Sequence, residues 1–138
     1  MQMRKAIFWL RVSFIIGAIV DAVALVPMLI PWAARIFWGF ENFSGVYYFA
    51  MGMGASLMLA WTILLLWAYR KPLERRYIAL FTVVILAAMI ITETVSLGQG
   101  YIRFDKIVVS LIMQAVWLVL FGYSFMISRK VSHETTTE

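Results

Sequence analysis

Four long apolar runs, separated by short charged or aromatic breaks, set the pattern of this chain. They extend over about Ala6–Ile30, Gly45–Tyr69, Tyr77–Leu97 and Ile107–Ser128. Each reaches the length of about 20 mostly apolar residues that a helix needs to cross a bilayer. The pattern predicts an all-α fold, a four-transmembrane-helix antiparallel bundle over residues 1–130, followed by a polar, disordered cytoplasmic tail over 131–138. The segment before the first run is too short, and the run too long, for a typical cleaved signal peptide, so it counts as the first span. The breaks carry matching punctuation. Pro72 suits the first turn of the third span, with Glu74 near that helix's N-terminus. Asn42 or Ser44 suits an N-cap of the second span, and Asp105 one of the fourth. Gly98 and Gly100 suit the exit from the third.

Charge placement orients the bundle. Arg4, Lys5, Arg11, Arg70, Lys71, Arg75, Arg76, Arg129 and Lys130 fall on one side of a four-span arrangement, and only Arg35, Arg103 and Lys106 on the other. Cytoplasmic loops are the basic ones. The expected location is therefore the cell membrane, multi-pass, with both termini cytoplasmic. Trp9, Trp67, Tyr69 and Tyr77 then form an inner aromatic belt, and Trp32 and Tyr101 part of an outer one. The basic inner loop, RKPLERR, is read as the topology signal, with contact to anionic headgroups as a second use.

Composition narrows the function classes. Of 138 residues, 64% are hydrophobic and 14% charged, whereas an ordinary soluble domain is about 45–50% apolar and about 25% charged. The net charge of +5 resembles a nucleic-acid signal, but the charges sit at the ends of apolar runs, so no nucleic-acid partner is expected. Cysteine is absent and the one histidine, His133, lies in the tail. No disulfide, thiol nucleophile, metal site or cofactor is expected.

The chemistry lies inside the spans. Asp21 interrupts the first run and Glu93 the third. An aspartate at the centre of a membrane helix costs about 2.5–3.5 kcal/mol to insert, so such groups face a bundle interior, a partner or water. At about 1.5 Å per residue, Asp21 lies near the midplane, Glu93 and Gln114 in the outer half and Ser56 near the middle. Polar groups of all four helices thus share one layer. Helical spacing puts Ser13, Gly17, Asp21 and Ala24 on one stripe of the first span, and Gly52, Ser56 and Ala60 on one stripe of the second. It aligns Met89, Glu93 and Ser96 on the third with Thr92 beside them, and Ser110, Gln114, Trp117 and Phe121 on the fourth. These stripes are expected to converge in a compact bundle, with Trp61 and Trp117 at mid-depth either walling a cavity or simply packing. Pro27 predicts a kink and a freed carbonyl near Asp21.

The outer connection, PWAARIFWGFENFS, predicts an interfacial turn or short helix, serving as an aromatic anchor or as a lid over a pocket. Its Asn42-Phe43-Ser44 triplet matches a glycosylation sequon.

The stretch Ala50–Arg76, AMGMGASLMLAWTILLLWAYRKPLERR, together with FWGFEN at Phe37–Asn42, resembles a group of small four-span prokaryotic membrane proteins. The resemblance implies a bacterial or archaeal source and carries no activity. The plan is also similar to small multidrug transporters, with four spans and an acid in the first, but the second acid and the aromatic loop depart from them. It is similar too to the EXPERA group of sterol-isomerase-like bundles, without their motifs. Architecture does not fix function.

The sequence expectation is a pocket, open toward the outer side, that binds a small lipophilic or cationic ligand, with possible proton coupling. Asp21, Glu93 and Gln114 are its main groups, and Ser56, Thr92, Trp61 and Trp117 further candidates. Besides the lipid bilayer, the partners weighed are that ligand, a homodimer mate and a partner membrane subunit. The rivals are an accessory membrane protein whose acids are interhelical glue, and a lipid-modifying enzyme using the two acids.

Overall fold

A computed structural model of the protein describes residues 2–134, with side chains as far as 131. Five helices follow one another, and no strand occurs among the described residues: α1 Gln2–Leu29, α2 Pro31–Trp38, α3 Gly45–Arg70, α4 Tyr77–Gly98 and α5 Phe104–Glu134. All but α2 are long and apolar enough to cross a membrane.

Local chemistry sets most of the boundaries. α1 continues through Pro27 to Leu29. Ile30 then turns extended, at φ −116° and ψ 110°, because the ring of a following proline disfavours helical geometry in the residue before it. Pro31 opens α2, where a missing N–H costs little. Gly39 closes α2 in the left-handed region, at φ 71°, with its N–H on the Arg35 carbonyl. Ser44 caps α3, its hydroxyl accepting the Tyr47 N–H at 3.3 Å.

Three expectations at the boundaries need correction. Pro72 lies in the turn before α4 rather than in its first turn, and Glu74 there pairs with Lys71 at 3.2 Å. Asp105 is already inside α5, held by Arg103 through two contacts of 3.0 and 3.2 Å. α5 also extends to Glu134, so residues 131–134 of the expected disordered tail are helical. Val131 is buried there and shares a cavity wall with Met3 and Leu73, which gives the helix an apolar reason to continue. Residues 135–138 lie outside the described residues.

The core gathers near the 71–76 turn. Leu10, Phe14 and Ala18 of α1 meet Leu65 and Ala68 of α3, Ile78 and Ala79 of α4, and Phe121 of α5. Ser13 and Ser124 share a hydrogen bond of 2.7 Å between α1 and α5. Gly17 allows this close approach: a Cβ there would stand 2.8 Å from Phe121 Cζ and 3.2 Å from Leu65 Cδ1. Small residues at contacts and large apolar ones outside, such as Val23, Phe49 and Val119, are the arrangement of helices packed in lipid.

The bundle is not uniformly closed, as a compact bundle would be. α1 packs extensively on α3 and α5, and α4 on α5, whereas α3 and α4 scarcely touch although only six residues join them. Away from the 71–76 turn a gap separates these two helices.

Candidate functional site

Two adjoining spaces occupy the interior. A crevice of about 670 Å³ lies in the gap, walled by α3 from Gly54 to Leu64, by α4 from Thr82 to Met89, and by Asp21 and Met28 of α1. A narrower cavity of about 230 Å³ runs between α1, α4 and α5, among residues that include Asp21, Trp38, Glu93, Gln114 and Trp117. Asp21, Met58, Thr82, Leu86 and Met89 line both, so the two spaces meet at Asp21.

Glu93 organises the narrow cavity. Its Oε1 accepts from the Ser110 hydroxyl at 2.9 Å and from Gln114 Nε2 at 2.7 Å. Gln114 Nε2 also donates to Ser110 Oγ at 3.0 Å. The helical spacing of Ser110 and Gln114 brings both to the α4-facing side of α5, which makes this bridge possible. The bridge leaves groups over. Glu93 Oε2, Gln114 Oε1 and Trp117 Nε1 are buried without a partner, and so is Trp61 Nε1 on the crevice wall. Gln114 is only 5% exposed. Asp21 is half-buried and hydrogen-bonds to no described residue.

The predicted site residues divide accordingly. Asp21, Glu93, Gln114 and Trp117 line the narrow cavity, and Trp61 lines the crevice. Ser56 and Thr92 do not join them. Both are exposed and bond back to their own helices, Ser56 to the Gly52 carbonyl and Thr92 to the Ala88 carbonyl, each at 2.9 Å. The inward face of α3 runs instead through Ala55, Met58, Thr62 and Leu65.

Two features of the lining were missed. Trp38, at the end of α2, reaches the narrow cavity and also a surface hollow bounded by Glu41, Arg103 and Lys106. The aromatic loop therefore sends one ring inward while Trp32 stays exposed. Its aromatic richness was the only signal, and a loop has no periodicity to say which ring turns in. The second feature is methionine: Met28, Met58, Met89 and Met113 line the two spaces. Their unbranched side chains adapt to irregular occupants.

No group of three or more His, Cys, Asp or Glu side chains among the described residues is placed to hold a metal ion. No family model matches this chain, and no curated protein or solved structure is significantly similar to it.

Proposed function

We propose that this chain is an integral membrane protein, an antiparallel four-span bundle with both termini cytoplasmic, that binds a small lipophilic or cationic molecule inside the membrane. Asp21 and Glu93 are the recognising or proton-carrying groups, and Gln114 is the third contact. The observation that carries this reading is the concentration of unpartnered buried polar atoms on one cavity, namely Glu93 Oε2, Gln114 Oε1 and Trp117 Nε1. Each buried group left without a partner costs about 1–3 kcal/mol. A ligand that supplies the missing partners recovers that cost on binding.

The interhelical-glue reading has one observation in its favour. The Glu93–Ser110 and Glu93–Gln114 hydrogen bonds join α4 to α5. Glue accounts for Glu93 Oε1 alone, however. Contacts of this kind average about 0.6 kcal/mol in one measured membrane protein, which is small beside the cost of the atoms left over.

Heat unfolding with and without added lipid extract separates the two. A ligand that binds only the folded state raises stability, by about 2.7 kcal/mol at a hundred times its Kd. Wild type should gain stability from the extract, whereas Glu93→Gln should start from a similar midpoint and gain clearly less. A Glu93→Gln midpoint that is lower under both conditions, beside a wild type indifferent to the extract, means that the acid is glue.

A further inference from the structure

The crevice and the narrow cavity offer opposite chemistry to one occupant. The crevice is walled by groups such as Leu57, Leu64 and Ile85 and opens where α3 and α4 part. Its volume of about 670 Å³ lies within the range of small-molecule sites, about 300–1,000 Å³. The narrow cavity, at about 230 Å³, admits only a small head. An alkyl chain passing from the bilayer into the crevice exchanges lipid for side chain, and that exchange has no hydrophobic driving force. Selection therefore falls to the polar end.

Three unmet groups at that end are acceptors, Glu93 Oε2, Gln114 Oε1 and the carboxyl of Asp21, and one, Trp117 Nε1, is a donor. An ammonium offers three donors and no acceptor, one for each of the three acceptors and opposite in charge to the acids, and leaves the Trp117 N–H unmet. An anionic head would face two acids, and a lone hydroxyl brings a single donor. Resting on the ligand-binding reading above, we infer that the interior takes a single-chain membrane amphiphile with a primary-amine head. The amine lies among Asp21, Glu93 and Gln114, and the chain lies along the crevice between α3 and α4.

The test uses the full chain in lipid nanodiscs, with radiolabelled dodecylamine, butylamine and dodecanoate as probes and empty discs as the background. Dodecylamine should bind saturably at one molecule per chain, and dodecanoate should not. Glu93→Gln should weaken dodecylamine binding by about tenfold or more, as expected for one lost charge-assisted hydrogen bond. Ala60→Trp, at an exposed position on the crevice wall, should weaken dodecylamine and leave butylamine unchanged. That comparison stands even if Glu93→Gln does not fold. Equal dodecylamine binding by wild type and Ala60→Trp overturns the placement of the chain. Binding of dodecanoate instead of dodecylamine overturns the amine head and leaves ligand binding intact. No saturable binding of any probe overturns the amine class alone if lipid extract still stabilises wild type against heat, and both readings if it does not.

Discussion

Gly17 and Gly54 both face close neighbours, and they should respond oppositely to a methyl group. At Gly17 the new Cβ would meet Phe121 Cζ at 2.8 Å, on a ring that is 1% exposed and packed against Phe14. That ring has nowhere to go, so Gly17→Ala should destabilise by about 1–3 kcal/mol, the usual cost of overpacking. At Gly54 the nearest atom is Met28 Cε at 2.7 Å, the free end of a flexible chain beside the crevice. Gly54→Ala should be neutral or stabilising, since alanine gains about 1 kcal/mol over glycine in a helix. Unfolding of both variants in one detergent checks the contrast. Ser13, Gly17 and Asp21 lie on one inward stripe because four-residue spacing keeps them together. Ser56 and Thr92 were misplaced because each stands one residue from an inward position, Ala55 and Glu93. One residue is about 100° of rotation, enough to turn a hydroxyl out to its own backbone.

At the scale of elements, α2 links the outside of the bundle to its interior. Gly39 ends it at φ 71°, and Trp38, one residue earlier, lines the narrow cavity. A side chain at residue 39 would take on left-handed strain, and its Cβ would stand 3.0 Å from Lys106 Cγ. Gly39→Ala should therefore cost about 1–2 kcal/mol and shift Trp38 fluorescence in a protein whose other tryptophans are replaced by phenylalanine. Unchanged stability and emission would mean that this end of α2 does not position the ring. The aromatics near the 71–76 turn have a simpler arrangement. Arg11 lies over Tyr69, Arg75 over Trp67 and Arg76 over Tyr77, at 5.6, 3.3 and 5.4 Å from the ring centroids. Three of the four residues assigned to the inner belt thus carry a cation on their faces, as suits a boundary where basic groups meet apolar rings. The gathering of these rings near the 71–76 turn was legible because it depends only on distance along a helix. The inward turn of Trp38 was not, because it depends on how the loop folds back.

The whole molecule is organised by which helices fail to meet. Elements consecutive in sequence usually lie side by side, and a six-residue turn favours that for α3 and α4. Each of them packs instead on an inner partner, α3 on α1 and α4 on α5. The four long apolar helices were readable from hydropathy, but the order of helices around the bundle was not, because apolar faces toward lipid and toward crevice look alike in sequence. Orientation in the membrane rests on the basic residues alone and is open to direct test. The chain has no cysteine, so single substitutions report without background. A membrane-impermeant thiol reagent added outside intact cells should label Tyr101→Cys and spare Lys71→Cys, and the reverse pattern would invert the bundle. A ligand held in the interior around Asp21 and Glu93 should survive gentle extraction. Native mass spectrometry of the gently extracted protein tests it most directly, with Asp21→Asn and Glu93→Gln measured beside wild type. One discrete bound mass is expected on wild type, absent from both variants. A bare chain in all three samples, with equal stability, would contradict it.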